Sequence, residues 1–324
     1  MSSDINTVIN LLYVGDRLYE IVGLFIILIS TIGNLCNCFV FLCIPPLNKH
    51  PNNLFLIGSS IGSFIYINIG LYSALIRIWT GIDPSNRWLF WCKLATWLTY
   101  SAGCFSFMCH CLSALSQYLL TLPKVKWQRL ITPIRAQLII YLSAIFWLFV
   151  FIPLVIYYNH IETSTKTYTC QSSRPFITIY GTYWIIIGYY FLPIILILLL
   201  FCLTWINLKQ ILRRHRTLTI AITRMMLIQM SVLLISGLPA GFYLSYILAT
   251  QYSKKTLLRL GYEYLILLIL TLFTFFTNGI SFWIYLIASK TFRKNIKQFL
   301  FKFYFLKNQV RPFTMTITRL NPPH

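Results

Sequence analysis

A chain of 324 residues is long enough for one or two soluble domains, but 58% of it is hydrophobic and only 10% is charged, a balance that excludes an ordinary water-soluble fold. A formal charge of +21 would suggest nucleic acid in a soluble protein. In a chain this apolar it reads instead as a positive bias on one face of a membrane, opposite anionic lipid, and nucleic acid is not expected as a partner.

Seven stretches free of Asp, Glu, Lys and Arg are each long enough to cross a hydrocarbon layer of about 30 Å, which takes about 20 helical residues. In chain order they are Ile21–Ile44, Asn53–Ile76, Leu94–Leu122, Leu138–Tyr158, Phe176–Leu208, Met225–Thr250 and Tyr264–Ser289. Runs of this length mean helices, because the backbone must satisfy its own polar groups in lipid, whereas a barrel would show short alternating segments. The expected fold is an all-α, integral membrane seven-helix bundle with a short amphipathic helix after it. Residues 1–20 are expected to be an extracellular N-terminus, 21–289 the bundle, and 290–324 the amphipathic helix and cytoplasmic tail. Met1–Glu20 is polar and no small-residue cleavage site follows the first apolar run, so the first helix is expected to be its own insertion signal.

The loops set the orientation. One side of the spans carries 18 of the 27 Lys and Arg, and the other side carries the remaining nine together with all six acids, Asp4, Asp16, Glu20, Asp83, Glu162 and Glu263. The basic side faces the cytoplasm, which puts the amino terminus outside and the tail inside. Of nine cysteines, seven fall within the spans, where a thiol packs as a small apolar group; the run Cys109-His110-Cys111 points in different directions on a helix and offers too few converging ligands for a metal. Cys92, at the outer end of the third helix, and Cys170, in the outer loop after the fourth, lie in oxidising space and are expected to form a disulfide. Thr and Tyr in the loop around Cys170 suit a strand pair lying over the bundle mouth.

Seven helices, an outside amino terminus and this cysteine pair resemble the rhodopsin-like (class A) G protein-coupled receptors. Single-residue landmarks line up in order: Gly33-Asn34 in the first helix, "NNLFL" from Asn53 opening the second, Cys92 starting the third, Trp147 in the fourth, Pro193 in the fifth and Pro239 in the sixth. Tyr285, followed seven residues later by Phe292-Arg293-Lys294, is similar to the family's Asn-Pro-x-x-Tyr end and its amphipathic eighth helix. Phe292, Ile296, Phe299, Leu300 and Phe303 recur there at helical spacing among Lys and Arg, as an interfacial helix requires.

The departures are as informative. Where the family carries Asp-Arg-Tyr at the inner end of the third helix, this chain has Ser116-Gln117-Tyr118, and the distant acid at the start of the sixth helix aligns with Thr219. The family's charged lock is therefore expected to be a neutral, hydrogen-bonded one, with Gln117 bridging Ser116, Thr219 or Tyr285. The family's sodium-site acid aligns with Ser63, which with Ser106 and Ser281 would offer hydroxyls alone; Ser281-Phe282 stand where the family has Asn-Pro, Gly237 where it has Trp, and Phe201 where it has the fifth-helix tyrosine. Pro153, Pro193 and Pro239 are read as kinks, of which only Pro239 sits where a kink could couple an outer pocket to the inner face. His110 is expected to be a neutral imidazole bonded to a Ser, Thr or Asn on the next helix. The basic run between the fifth and sixth helices is a lipid-facing end that could also hold the helix of a G protein subunit.

The resemblance implies a plasma-membrane receptor that senses an extracellular ligand and signals to a heterotrimeric G protein, with no cofactor and no enzymatic chemistry. Thr99 stands where amine receptors have Asp, and Phe275 where an opsin has its retinal lysine, which disfavours both ligands. An aromatic wall of Trp97, Tyr100, Tyr180, Tyr183, Trp184, Tyr243, Tyr246 and Phe275, with Thr99, suits a peptide or a hydrophobic small molecule. The alternatives are a receptor-like membrane scaffold without G protein coupling and, behind it, a transporter or channel, which would be expected to show repeated halves or charged, broken helices at the midplane.

Overall fold

The computed structural model describes residues 2–44, 47, 52–123, 125–128, 130–162, 168–212 and 217–308; side chains are described for these except at 2, 3, 125, 208–212, 217–222, 300 and 302–308. Seven of its helices are long and apolar enough to cross a membrane: Asp4–Cys43, Asn53–Thr80, Leu89–Thr121, Pro133–Tyr157, Pro175–Asn207, Thr223–Ala249 and Leu257–Gly279, here called the first to seventh spans. Their outward faces are apolar, with Leu28, Leu142, Ile145, Phe149, Ile195 and Ile235 all exposed. Such a surface suits hydrocarbon and not water.

Most spans outrun the charge-free stretches that marked them. The first is the extreme case, because helix runs from Ser2 through residues 19–23 to Cys43, so no break separates residues 2–20 from the bundle at position 21. The charges that excluded this region from an apolar window are held by local partners: Arg17 bonds Glu20 one turn on, and Asp16 meets Arg77 of the second span at 3.8 Å. Small residues let this extension close on the seventh span. A Cβ at Gly15 would lie 3.1 Å from Leu268, and one at Gly261 would lie 3.3 Å from Leu11.

Proline and close packing set the irregularities. The fourth span breaks at Phe151, just before Pro153, and resumes as Ile152–Tyr157. The fifth widens to a π-helical turn over Ile185–Phe191 immediately before Pro193, which relieves the clash of the ring with the preceding turn. The expected unbroken run Tyr264–Ser289 is corrected: helix stops at Gly279, Ile280 leaves helical geometry, and a second segment runs Ser281–Ala288. No proline causes this break. The first and seventh spans approach so closely at Gly279 that a Cβ there would fall 1.6 Å from Ser30 Oγ, while Thr277 and Asn278 direct side-chain bonds to their own preceding carbonyls. A further helix, Lys290–Asn308, follows and seats Phe292 against Phe41, Phe282 and Tyr285.

The third span is the axis of the larger buried cluster, which gathers Phe107, Trp147, Phe151, Tyr189, Met226 and Met230. A smaller cluster, Ile26, Ile67, Leu71, Leu268, Leu272 and Phe275, fills the space among the first, second and seventh spans. Above the bundle, β1 (Tyr158–Glu162) and β2 (Tyr168–Ser172) pair antiparallel, with His160 opposite Cys170.

Candidate ligand cavity and inner-face latch

Cys92 and Cys170 form a disulfide that ties β2 to the Leu89 end of the third span; the end of the bundle that carries the hairpin is called outer and the opposite end inner. The hairpin has a second anchor. Asp83 caps the short helix Pro84–Arg87 by accepting from the Ser85 amide at 2.8 Å. That helix then presents Asn86 Oδ1 to the Cys170 amide at 2.7 Å and the Ser85 carbonyl to His160 Nε2–H at 2.8 Å.

The predicted aromatic wall is not one surface. Trp97 donates Nε1–H to the Leu148 carbonyl at 2.9 Å, Tyr100 packs on Phe151, and Trp184 meets the edge of Trp147, so these three fill the seam of the third, fourth and fifth spans. Tyr180 donates its hydroxyl to the Val150 carbonyl in that seam, while Tyr183 points outward and is half-exposed. Phe275 and Thr99 flank Gly70, where a Cβ would lie 3.0 Å and 3.4 Å from them. Tyr243 and Tyr246 serve a different purpose, because both bind Glu263. Tyr243 donates to its backbone carbonyl, and Tyr246 donates to Oε1 at 2.9 Å while accepting from Arg259 Nη2 at 2.7 Å. Lys255 Nζ at 2.6 Å and Arg259 Nε at 2.9 Å complete a clasp joining the outer ends of the sixth and seventh spans. Counting residues from landmarks gave these side chains a depth but not a direction.

Cavities lie elsewhere among the described residues, and none of the predicted pocket residues lines them; besides an apolar groove of about 360 Å³ between the first and seventh spans, two carry polar groups. One, of about 330 Å³, is bounded by Tyr19, Gly70, Ser73, Ala74, Arg77, Asp83, Tyr264, Leu267, Leu268 and Thr271. The other, of about 600 Å³, lies among Leu12, Tyr13, Asp16, Arg17, Glu20, Arg77, Ile78, Gly81 and Tyr264. Arg77 and Tyr264 belong to both. The sequence held a signal for this site in Arg77, a cation one turn inside the outer end of an otherwise apolar helix, but an orientation count treats it only as one outer charge.

At the opposite end, Gln117 is fully buried and its Nε2–H donates to Thr223 Oγ1 of the sixth span. Of the expected partners, Ser116 and Tyr285 are not bonded to Gln117 among the described residues. Thr223 lies about one turn nearer the bundle centre than Thr219, whose side chain is outside the described residues. Two rungs continue the same seam: Ser113 Oγ–H points at Met226 Sδ at 3.6 Å, and the Tyr285 hydroxyl reaches that sulfur at 3.9 Å. Ser116 is buried with no hydrogen-bond partner among the described residues, and Tyr118 is only partly buried. Among the described residues this seam is joined by amide, hydroxyl and thioether groups.

The three serines of the family's sodium position do not converge. Ser106 donates to the Ser59 carbonyl at 3.0 Å, so at its 2.7 Å contact with Ser63 the proton comes from Ser63. Ser281 accepts from Asn37 Nδ2 at 3.0 Å instead. His110 is also corrected: it is buried against Phe107, with neither ring nitrogen bonded among the described residues. Pro239 lies within an unbroken helix, Thr217–Ala249, and Ser236 one turn before it bonds Thr277 of the seventh span at 2.9 Å.

No protein-family model matches this chain, and a comparison with curated proteins finds no match.

Proposed function

We propose that the chain is a receptor of the rhodopsin-like G protein-coupled type, set in the plasma membrane with its amino terminus outside and its tail inside. It senses an extracellular ligand, a peptide or a hydrophobic small molecule, and signals to a heterotrimeric G protein. The observation that carries this reading is the join between the third span and the β1–β2 hairpin through Cys92 and Cys170, which ties the loop over the outer end of a seven-helix bundle to its central helix. A ligand that moves the hairpin pulls on the same helix that carries Gln117 one turn before its other end. In this reading the helix Lys290–Asn308 lies along the inner leaflet, with exposed Lys290, Lys294 and Lys297 toward anionic lipid.

A second reading has a specific observation behind it. Gln117 is held by a neutral bond to Thr223 and is fully buried, so the arginine that the family turns toward its G protein has no equivalent here, and a receptor-like scaffold without coupling follows. Screening peptides and hydrophobic small molecules for evoked G protein recruitment in cells separates the two. Ligand-dependent recruitment is the expected result; surface-expressed protein that binds a ligand without recruiting any G protein would establish the scaffold.

A further inference from the structure

The geometry points to a binding site for an organic monocarboxylate with an aromatic or aliphatic body, placed among the first, second and seventh spans with Arg77 as the anion anchor. It deepens the receptor reading by naming the ligand's chemistry, and rests on that reading only for its signalling consequence.

Three independent features converge here. The first is space: the 330 Å³ cavity, extended by its neighbour through the shared Arg77 and Tyr264, falls within the range of small-molecule sites. The second is backbone. Helix one departs from α geometry over Tyr19–Gly23, in a π-helical turn of the kind that recurs at functional sites, and this turn begins at Tyr19, which lines the cavity. The third is an available charge. The one ion pair of Arg77 among the described residues is with Asp16 at 3.8 Å, between side chains 43% and 50% exposed. A pair this long and wet is easily exchanged.

The other charges around the site are committed. Arg17 is bonded to Glu20, and Asp83 holds the Ser85 amide as a helix cap. An entering carboxylate can therefore take the Arg77 fork in a bidentate contact while Asp16 returns to water. Among the described residues Arg77 is the one cation that lines both cavities, so the site matches one negative charge; a phosphate, carrying nearly two, would need a second. The tyrosines with Leu267 and Leu268 then enclose the ligand's apolar body.

The test needs no G protein. Ala74→Cys places a thiol on the cavity wall, in a background where the exposed Cys43 and Cys202 are serine, and its labelling by a membrane-impermeant reagent is timed in intact membranes. Phenylbutyrate should slow labelling several-fold and saturably, while phenylbutylamine and phenylbutanamide should not. Protection should vanish in Arg77→Gln, weaken in Arg77→Lys, and persist in Arg87→Gln, an exposed arginine that lines neither cavity. If Arg77→Gln is lost from the surface, Arg77→Lys decides the point. A saturable thermal stabilisation of the unsubstituted chain by phenylbutyrate alone should accompany this. Equal protection by the amine or the amide, undiminished protection in the Arg77 variants, or no protection by the acid would each overturn the site. Carboxylate binding without G protein recruitment would leave the site standing and remove the signalling reading; recruitment insensitive to Arg77 would do the reverse.

Discussion

The two ends of the bundle are held by different chemistry. At the outer end a disulfide fixes the hairpin to the third span, and the Glu263 carboxylate gathers Lys255, Arg259 and Tyr246 across the sixth and seventh. At the other end, among the described residues, the third and sixth spans meet through a neutral bond from Gln117 to Thr223 and a Ser113–Met226 sulfur contact, with Tyr285 reaching the same sulfur. Neutral hydrogen bonds contribute about 0.5–1.5 kcal/mol each, and charge-assisted ones roughly twice that. A bundle clamped at one end and lightly latched at the other gives first where it is latched, so motion of the sixth span is expected to appear at the inner face.

The strongest attempt to break this contrast removes the staple. Cys92→Ser with Cys170→Ser should lower stability by about 2–5 kcal/mol, read as a fall in melting temperature in detergent, and unchanged melting would show that the outer end is not clamped. Glu263→Gln should have the next largest effect, because it leaves Lys255, only 9% exposed, facing a neutral amide. Adding Lys255→Met should recover part of the loss, since an apolar side chain needs no counter-charge there; a further fall would mean that the clasp is not electrostatic. Gln117→Leu should cost only the latch, about 0.5–1.5 kcal/mol, and spin labels on the inner ends of the third and sixth spans should report a broader distance distribution with the outer ends unchanged. Equal broadening at both ends would erase the distinction. Smallest of all is the effect of sodium, expected to be nil: Ser63 and Ser106 bond each other and Ser281 bonds Asn37, so no carboxylate offsets the dehydration of a cation. A shift in ligand affinity with sodium, absent with potassium at equal ionic strength, would contradict this.

The same contrast marks what could be read from the sequence. The seven helices were legible because a charge-free apolar run has one solution in lipid. The hairpin around Cys170 was legible from its Thr and Tyr content, and the break before Pro153 from its ring. Helix ends were not, since Arg17 with Glu20, and Arg259 with Glu263, neutralise one another inside helices that a charge count must cut short. Directions were also hidden. Tyr243 and Tyr246 have the depth of pocket residues, but their hydroxyls turn to Glu263, and that depends on which helix lies beside them. Gln117 was found by its place in a motif, but its bond to Thr223 was not, because register between helices is set by packing around Met226. The break at Ile280 follows Asn278-Gly279, a helix-stopping pair that a count of apolar residues passes over, and Ser30 packs closely on that glycine.

The central claim is the proposal that the inner end of the third span is a coupling surface held by a neutral lock. Basal nucleotide exchange on G proteins, measured with reconstituted receptor, tests it through Gln117→Arg. The substitution removes the bond to Thr223 and supplies the charge that the family uses toward its G protein, with no acid nearby to restrain it. The account predicts raised ligand-independent exchange in Gln117→Arg, brought back down when Ser116→Asp is added to pair with the new arginine. Exchange identical to that of the unsubstituted chain, in protein shown to be folded and at the surface, would contradict it.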